Sequence, residues 1–251
     1  MDDQADHPTI EIPLSGGRYT VGVVRVGDTV RRPAQPWSPF VRGLLLHLEN
    51  AGCECVPRHL GQDEFGRDMF SFVPGWVPAK FQHFEDAQVA AAGAMLRSFH
   101  DATRGSDLAG GEAVVCHHDP GPNNTVFRNG RPVAFIDFDF AAPGGILEDV
   151  GYMAWTWCVS SKPVRGPIEA QAAQLRVLAD AYGLALQDRA GLVMAMIQCQ
   201  SRNITFWNER IDRFEGPQTS SADIQEHVDW SRREMEFTAA HRELFLKALG
   251  V

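Results

Sequence analysis

The chain has 251 residues, 44% of them hydrophobic, and its 23 Lys and Arg against 32 Asp and Glu give a formal net charge of −9. This composition excludes a disordered chain and argues against non-specific nucleic-acid binding, which rests on basic surface. No apolar run reaches the roughly 18 residues that a membrane span needs.

The N-terminal MDDQADHPTIEIP lacks the basic and apolar regions of a secretory signal, which predicts a cytoplasmic protein. Short β-branched runs follow, broken by Ser-Gly-Gly at 15–17 and Gly-Asp at 27–28, and predict antiparallel strands over 9–13, 20–26 and 28–32. In PWSPFVRGLLLHLENAG, Ser38 is placed to cap a helix with Pro39 at its first position. Phe40, Leu44 and Leu48, joined by Val41 and Leu45, form its apolar stripe, and Gly52 ends it. VPRHLGQDEFGRDMFSFV reads as a strand pair turning at 64–66, and Pro74-Gly75 breaks the chain.

Beyond the break the pattern becomes helical. Val89, Ala92, Leu96 and Phe99 repeat at helical spacing within 86–100. Short strands at 114–116, 125–128 and 132–137 frame a polar cluster. Ile168, Ala172, Leu175, Leu178 and Tyr182 form a second stripe, Leu192, Met196, Cys199 and Phe206 a third, and a last helix is predicted over about 222–249. There is no internal repeat. The expected architecture is α+β: a small β-rich lobe with one helix over 1–74, a hinge near 72–78, and a larger helical lobe over 75–251. Clefts between such lobes are common ligand sites. The five cysteines, 53, 55, 116, 158 and 199, are odd in number and scattered, as expected of reduced thiols, and Cys53-x-Cys55 has no second pair to complete a zinc site.

The polar cluster is CHHDPGPNN, and Asp137 follows at the end of an apolar strand. His117-x-Asp119-x4-Asn124 with a later Asp137 supplies what phosphoryl transfer requires. One carboxylate orients the acceptor hydroxyl and takes its proton, while an amide oxygen and a second carboxylate hold Mg²⁺ against the nucleotide phosphates. The turn Pro120-Gly121-Pro122 separates Asp119 from Asn124 so that both can face one cavity. A hydrolytic metal site built from the two histidines is disfavoured, because neighbours on a strand point to opposite faces.

H-x-D-x4-N followed by I-D-F resembles the catalytic and metal motifs of the aminoglycoside phosphotransferase family, relatives of the protein kinases. The similarity is concentrated in 114–154. MFSFVPGWVP resembles the family's hinge, and MLRSFHDAT (95–103) the end of one of its helices. The resemblance implies a bilobal kinase-like fold and transfer of the γ-phosphate of ATP or GTP to a hydroxyl of a small molecule, which the acidic chain allows to be cationic. It makes Asp119 the catalytic base, Asn124 and Asp137 the Mg²⁺ ligands, and His117 a brace of the catalytic loop. Asp149 falls at a structural aspartate that pins this loop, and backbone groups of Ser71 and Val73 would contact adenine.

The phosphate-binding cation expected on the third strand is Arg31 or Arg32; the position two residues before Pro33 favours Arg31, strand alternation Arg32. The acid expected early in the following helix is absent, since residues 38–46 contain none, and Ser-Gly-Gly is a short phosphate loop. These departures leave a second reading: a kinase-fold binding protein that sequesters a toxin or peptide. Asp139 belongs either to the metal shell or to the surface. His118 reads as a spacer, His100 as a satisfied core or cap histidine, and Trp155 and Trp157 as core. Asn203, Trp207 and Glu209 lie on a helix that borders the acceptor pocket in the family. The acidic DRFEG at 212–216 is either a substrate-facing stretch or a solvated helix end.

Overall fold

Alternation and turn chemistry in the first 74 residues produce one antiparallel sheet. In the computed structural model, which describes residues 10–14, 20–210 and 220–251, it comprises β1 (Ile12–Pro13), β2 (Val24–Val26), β3 (Thr29–Arg32), β4 (His59–Gln62) and β5 (Asp68–Ser71), in the order β1-β2-β3-β5-β4. Val26 pairs with Thr29 across the predicted Gly27-Asp28 turn. The predicted Ser-Gly-Gly loop and the DRFEG stretch lie outside the described residues, as does residue 9 of the first predicted strand.

Helix α1 (Ser38–Asn50) buries Val41, Leu44, Leu45 and Leu48. Ser38 is not its cap. It is the first helical residue, and its hydroxyl accepts the Gln35 N–H at 2.9 Å, so it closes the preceding turn instead. Beyond the helix, the Cys53 and Cys55 sulfurs stand 3.2 Å apart. Donation from Cys55 lowers the Cys53 thiol to about 7, although its burial opposes this. Thiolate is the reacting form, so Cys53 is expected to be alkylated fastest, with a rate rising through pH 7. Cys116, Cys158 and Cys199 are buried and should stay unlabelled. Peptide mass spectrometry after iodoacetamide treatment reads this directly, and equal labelling of all five would contradict it.

The remainder is mainly helical. Helix α2 (Asp86–Thr103) buries the predicted stripe Val89, Ala92, Leu96 and Phe99. The hairpin of β7 (Thr125–Arg128) and β8 (Arg131–Phe135) follows β6 (Val114–Cys116), which pairs with β9 (Ala142–Gly144). Then come α3 (Ile146–Met153), α4 (Ile168–Tyr182), α5 (Leu186–Asn208), α6 (Ser221–Ala240) and α7 (Arg242–Leu249). Helices α3 and α5 cross closely enough that a Cβ on Gly151 would lie 2.8 Å from Ala195. Trp155 and Trp157, in a π-helical turn after α3, are fully buried, as their reading as core required. The single helix predicted at the C-terminus is two. At His241 (φ −107°, ψ 15°) the chain turns, with the backbone N–H and the ring Nδ1 both on the Phe237 carbonyl. The turn brings Phe245 and Leu249 wholly into the core. No helix among the described residues is long and apolar enough to cross a membrane.

The segment after β5 docks on the second lobe. Trp76 and Phe127 exchange backbone hydrogen bonds of 3.0 and 2.8 Å. Gly75 makes this approach possible: its φ is +156°, and a Cβ there would lie 2.4 Å from the Phe127 carbonyl oxygen. Gly75→Ala is therefore expected to cost about 1–3 kcal/mol, the range for forced overpacking. Urea denaturation would show it, and an unchanged midpoint would contradict the contact.

Candidate active site

Helix α3 and the catalytic-type loop are tied together by one buried carboxylate. Asp149 accepts the backbone N–H of His117 at 2.6 Å, the N–H of His118 at 2.7 Å and the His100 ring at 3.0 Å. Burial pushes its pKa upward, but the His100 hydrogen bond and the charge of the surrounding imidazoles outweigh this and hold it below the ordinary value. His100 is thus a buried structural histidine, with its other nitrogen 2.8 Å from the Tyr182 hydroxyl. The left-handed backbone of His118 (φ +62°) is held by the Asp149 bond. Asp137 is also left-handed (φ +66°). Such conformations are costly and persist where surrounding structure imposes them.

His117 is fully buried behind the loop. Its Nε2 lies 3.1 Å from the Ile136 carbonyl, and its ring packs on Phe138 at 4.5 Å between centroids. It connects the loop to the chain just before Asp137. His118 turns the other way, to the cavity, where its Nδ1 lies 3.0 Å from the Phe140 carbonyl and its Nε2 3.4 Å from Glu148.

Asp119, Asn124, Asp137 and Asp139 all line one cavity of about 820 Å³. Asn124 Nδ2 donates to Asp119 Oδ2 at 2.7 Å and to the Asp119 carbonyl at 3.0 Å, while its Oδ1 accepts from Asn123 at 3.2 Å. The Tyr152 hydroxyl donates to Asp119 Oδ1. Lys80 Nζ donates to that hydroxyl at 2.6 Å and stands 3.9 Å from Asp119 Oδ1. An ionised carboxylate offers about four acceptor positions, so these donors fix the orientation of Asp119 and leave capacity for a substrate hydroxyl.

The strand register puts Arg32, and not the preferred Arg31, on the cavity side. Adjacent residues on β3 face opposite sides of the sheet. Arg31 turns away from the cavity and stands 3.6 Å from Asp63. Arg32 reaches across to the cavity, donating to Asp139 at 2.5 Å, Asp137 at 3.3 Å and Thr20 at 2.8 Å. Cleft walls and the Asp139 charge raise the Asp137 carboxyl above its ordinary pKa, which Arg32 partly offsets. In α1, the position of the missing acid is taken by a different pairing: Arg42 stands 3.6 Å from buried Asp68. The donor set suits Mg²⁺, because Asn124, Asp137 and Asp139 offer hard oxygens and the two carboxylates already hold a cation, the Arg32 guanidinium.

Ser71 and Val73 lie outside this cavity. The Ser71 N–H is committed to the Arg58 carbonyl at 2.9 Å, which removes it as a donor to a nucleotide. The backbone of Val73 enters no hydrogen bond among the described residues. Asn203 and Trp207 line the cavity, whereas Glu209 at the end of α5 does not. Lys80 and Tyr152 were missed in the sequence. Tyr152 had a local signal, since it follows Asp149 by one helical turn on the same face; Lys80, in the segment after the hinge, had none.

A model of the phosphotransferase enzyme family matches residues 106–192, which include the whole loop and Asp149. The chain is 30% identical, over 271 aligned positions, to the trifolitoxin immunity protein of Rhizobium leguminosarum bv. trifolii, with 96% of this chain and 99% of that protein covered. Among solved structures, a choline/ethanolamine kinase family protein from Mesorhizobium loti superposes with a TM-score of 0.61 at 16% identity, covering 98% and 94% of the two chains. A microcompartment-associated aminopropanol kinase gives 0.61 at 13%, covering 90% of each. A spectinomycin phosphotransferase, solved with ADP and spectinomycin, gives 0.58 at 11%, covering 88% of each. At these identities the structural likeness establishes the bilobal kinase-like fold.

Proposed function

Because this chain belongs to the phosphotransferase enzyme family, we propose that it moves the γ-phosphate of ATP or GTP to a hydroxyl of a small molecule. The observation that carries this reading is the convergence of Asp119, Asn124 and Asp137 on one cavity of about 820 Å³, with Arg32 reaching it from the sheet. The proposed lobe boundary is Pro74-Gly75, the nucleotide lying under the sheet and the acceptor among the helices. The five free thiols suit a cytoplasmic location.

Asp119 orients the acceptor hydroxyl and takes its proton as the new oxygen–phosphorus bond forms and the bond from the γ-phosphorus to the β–γ bridging oxygen breaks, releasing the nucleoside diphosphate. Tyr152 and Asn124 hold its carboxylate still, and Lys80 places positive charge beside it. Asn124 and Asp137 would hold Mg²⁺, which when bound neutralises phosphate charge. Arg32 passes from the carboxylates to the phosphates, where its planar fork pairs with their oxygens. His117 and Asp149 keep the loop in place. Most of the rate enhancement then comes from positioning and preset charge.

On this reading Arg32→Ala weakens Mg²⁺-ATP binding by about 10-fold, equivalent to ~1.4 kcal/mol, and Arg31→Ala leaves it unchanged. Calorimetric titration of both variants decides between them; equal losses would contradict the assignment of Arg32.

A second reading, an immunity protein that binds a toxin or peptide without phosphoryl transfer, is favoured by two observations. One is the near full-length similarity to the trifolitoxin immunity protein. The other is the guanidinium of Arg32 seated on Asp137 and Asp139. Thermal unfolding with and without millimolar ATP or GTP and Mg²⁺ separates the two. A Mg²⁺-dependent stabilisation supports the phosphotransferase, and its absence supports the binding protein.

A further inference from the structure

We propose that the acceptor taken by this cavity is a hydroxyl compound carrying an aromatic ring and a carboxylate, as a short serine-containing peptide does, and not a polycation. The inference rests on the reading above that Asp119 faces the acceptor hydroxyl. It starts from a mismatch of charge. The whole chain is acidic and contains only three lysines, 80, 162 and 247. Two of them, Lys80 and Lys162, line the cavity, together with Arg202 and Arg233.

Four of the five cavity carboxylates among the described residues are already engaged. Asp137 and Asp139 face Arg32. Glu148 accepts the Gly145 N–H at 3.0 Å and stands 3.4 Å from His118 and 3.9 Å from Arg202. Asp119 is held by Tyr152, Asn124 and Lys80. Among the described residues, what remains is Lys162 and Arg233 against one exposed acid, Glu226. An ammonium-rich acceptor would meet like charge there, and juxtaposed like charges select against a partner.

The wall beside Lys162 is also aromatic. Phe81 packs on Trp230 at 4.7 Å between ring centroids, and Trp230 stacks on Trp155 at 5.1 Å and 14°. Lys162 Nζ lies 4.5 Å from the Phe81 centroid and 5.6 Å from that of Trp230. A ring in the acceptor finds stacking partners there, and an anion beside that ring finds the ammonium. Lys80 Nζ fixes the scale: it is 3.9 Å from Asp119 Oδ1 and 5.9 Å from the Phe81 centroid. Hydroxyl site and aromatic wall are therefore neighbours, with Lys80 between them.

The test is calorimetric titration of the full chain with N-acetyl-Ser-Phe, with its C-terminal amide and with kanamycin, in low salt, because exposed charge pairs are screened at high ionic strength. The carboxylate form should bind about 10-fold more tightly than the amide and more tightly than kanamycin. Lys162→Glu with Arg233→Glu should erase or reverse that order, and circular dichroism of the variant checks its folding. Lys162→Gln, a milder change, should reduce the preference without reversing it. Equal binding of carboxylate and amide, tighter binding of kanamycin, or no binding of either peptide overturns the proposal. Mg²⁺-ATP titration of the same samples tests the phosphotransferase reading separately. If nucleotide binds but the carboxylate preference is absent, only the acceptor proposal fails. If the preference is present but nucleotide never binds, the acceptor site stands and the phosphotransferase reading falls.

Discussion

Asp119→Ala is expected to lower phosphoryl transfer by about 10²–10⁴-fold, the contribution of a positioned general base, while Mg²⁺-nucleotide affinity stays largely intact. On the proposed reading the two effects separate because Asp119 faces the acceptor. Its oxygens face Tyr152, Lys80 and the amide nitrogen of Asn124; Arg32, which on that reading meets the phosphates, pairs with Asp137 and Asp139 instead. ATP consumption in the presence of an accepted hydroxyl compound measures the rate, and calorimetry the affinity. Near wild-type turnover would remove Asp119 from the mechanism.

Asp149→Ala is expected to cost about 3–5 kcal/mol of stability, the scale for removing one partner of a buried charged network. The carboxylate is fully buried, and its loss leaves the N–H groups of His117 and His118 without their acceptor, along with the His100 ring. Each stranded donor keeps its desolvation cost. The same residue sets a pH dependence. Its folded-state pKa lies below the unfolded value, so its contribution is present above about pH 4, the ordinary aspartate range, and is lost as pH falls through the lower folded value. Urea titrations across the acid range should show wild type losing stability faster than the variant as pH falls. Parallel curves would contradict the role. His118 depends on Asp149 to hold its left-handed backbone, so the variant should also lose turnover beyond what unfolding explains.

The helices and the catalytic-type loop were legible in the sequence because their signals are local. The stripe Val89, Ala92, Leu96, Phe99 is a periodicity, and all four residues are fully buried. Asp119 and Asn124 are spaced across a Pro-Gly-Pro turn, and they meet. What depends on register or on distant segments was not legible. Arg31 and Arg32 are chemically identical neighbours, and only the pairing of β3 with β5 decides which one faces the cavity. Lys80 reaches Tyr152 across 72 residues of sequence, a separation that no spacing rule spans. The break at His241 escaped detection because the residues on both sides favour helix; it is imposed by the core that takes Phe245 and Leu249. The aromatic pair on the cavity wall was hidden for the same reason, since Phe81 and Trp230 come from separate segments.

The most direct measurement is a crystal structure of the full chain grown with Mg²⁺ and a non-hydrolysable ATP analogue at millimolar concentration. The expected result is a metal bonded to the Asn124 amide oxygen and the Asp137 carboxylate, with Arg32 moved from the carboxylates to the phosphates and Asp119 open to the acceptor cavity. A cleft without nucleotide, its guanidinium still seated on Asp137 and Asp139, would contradict phosphoryl transfer at this site.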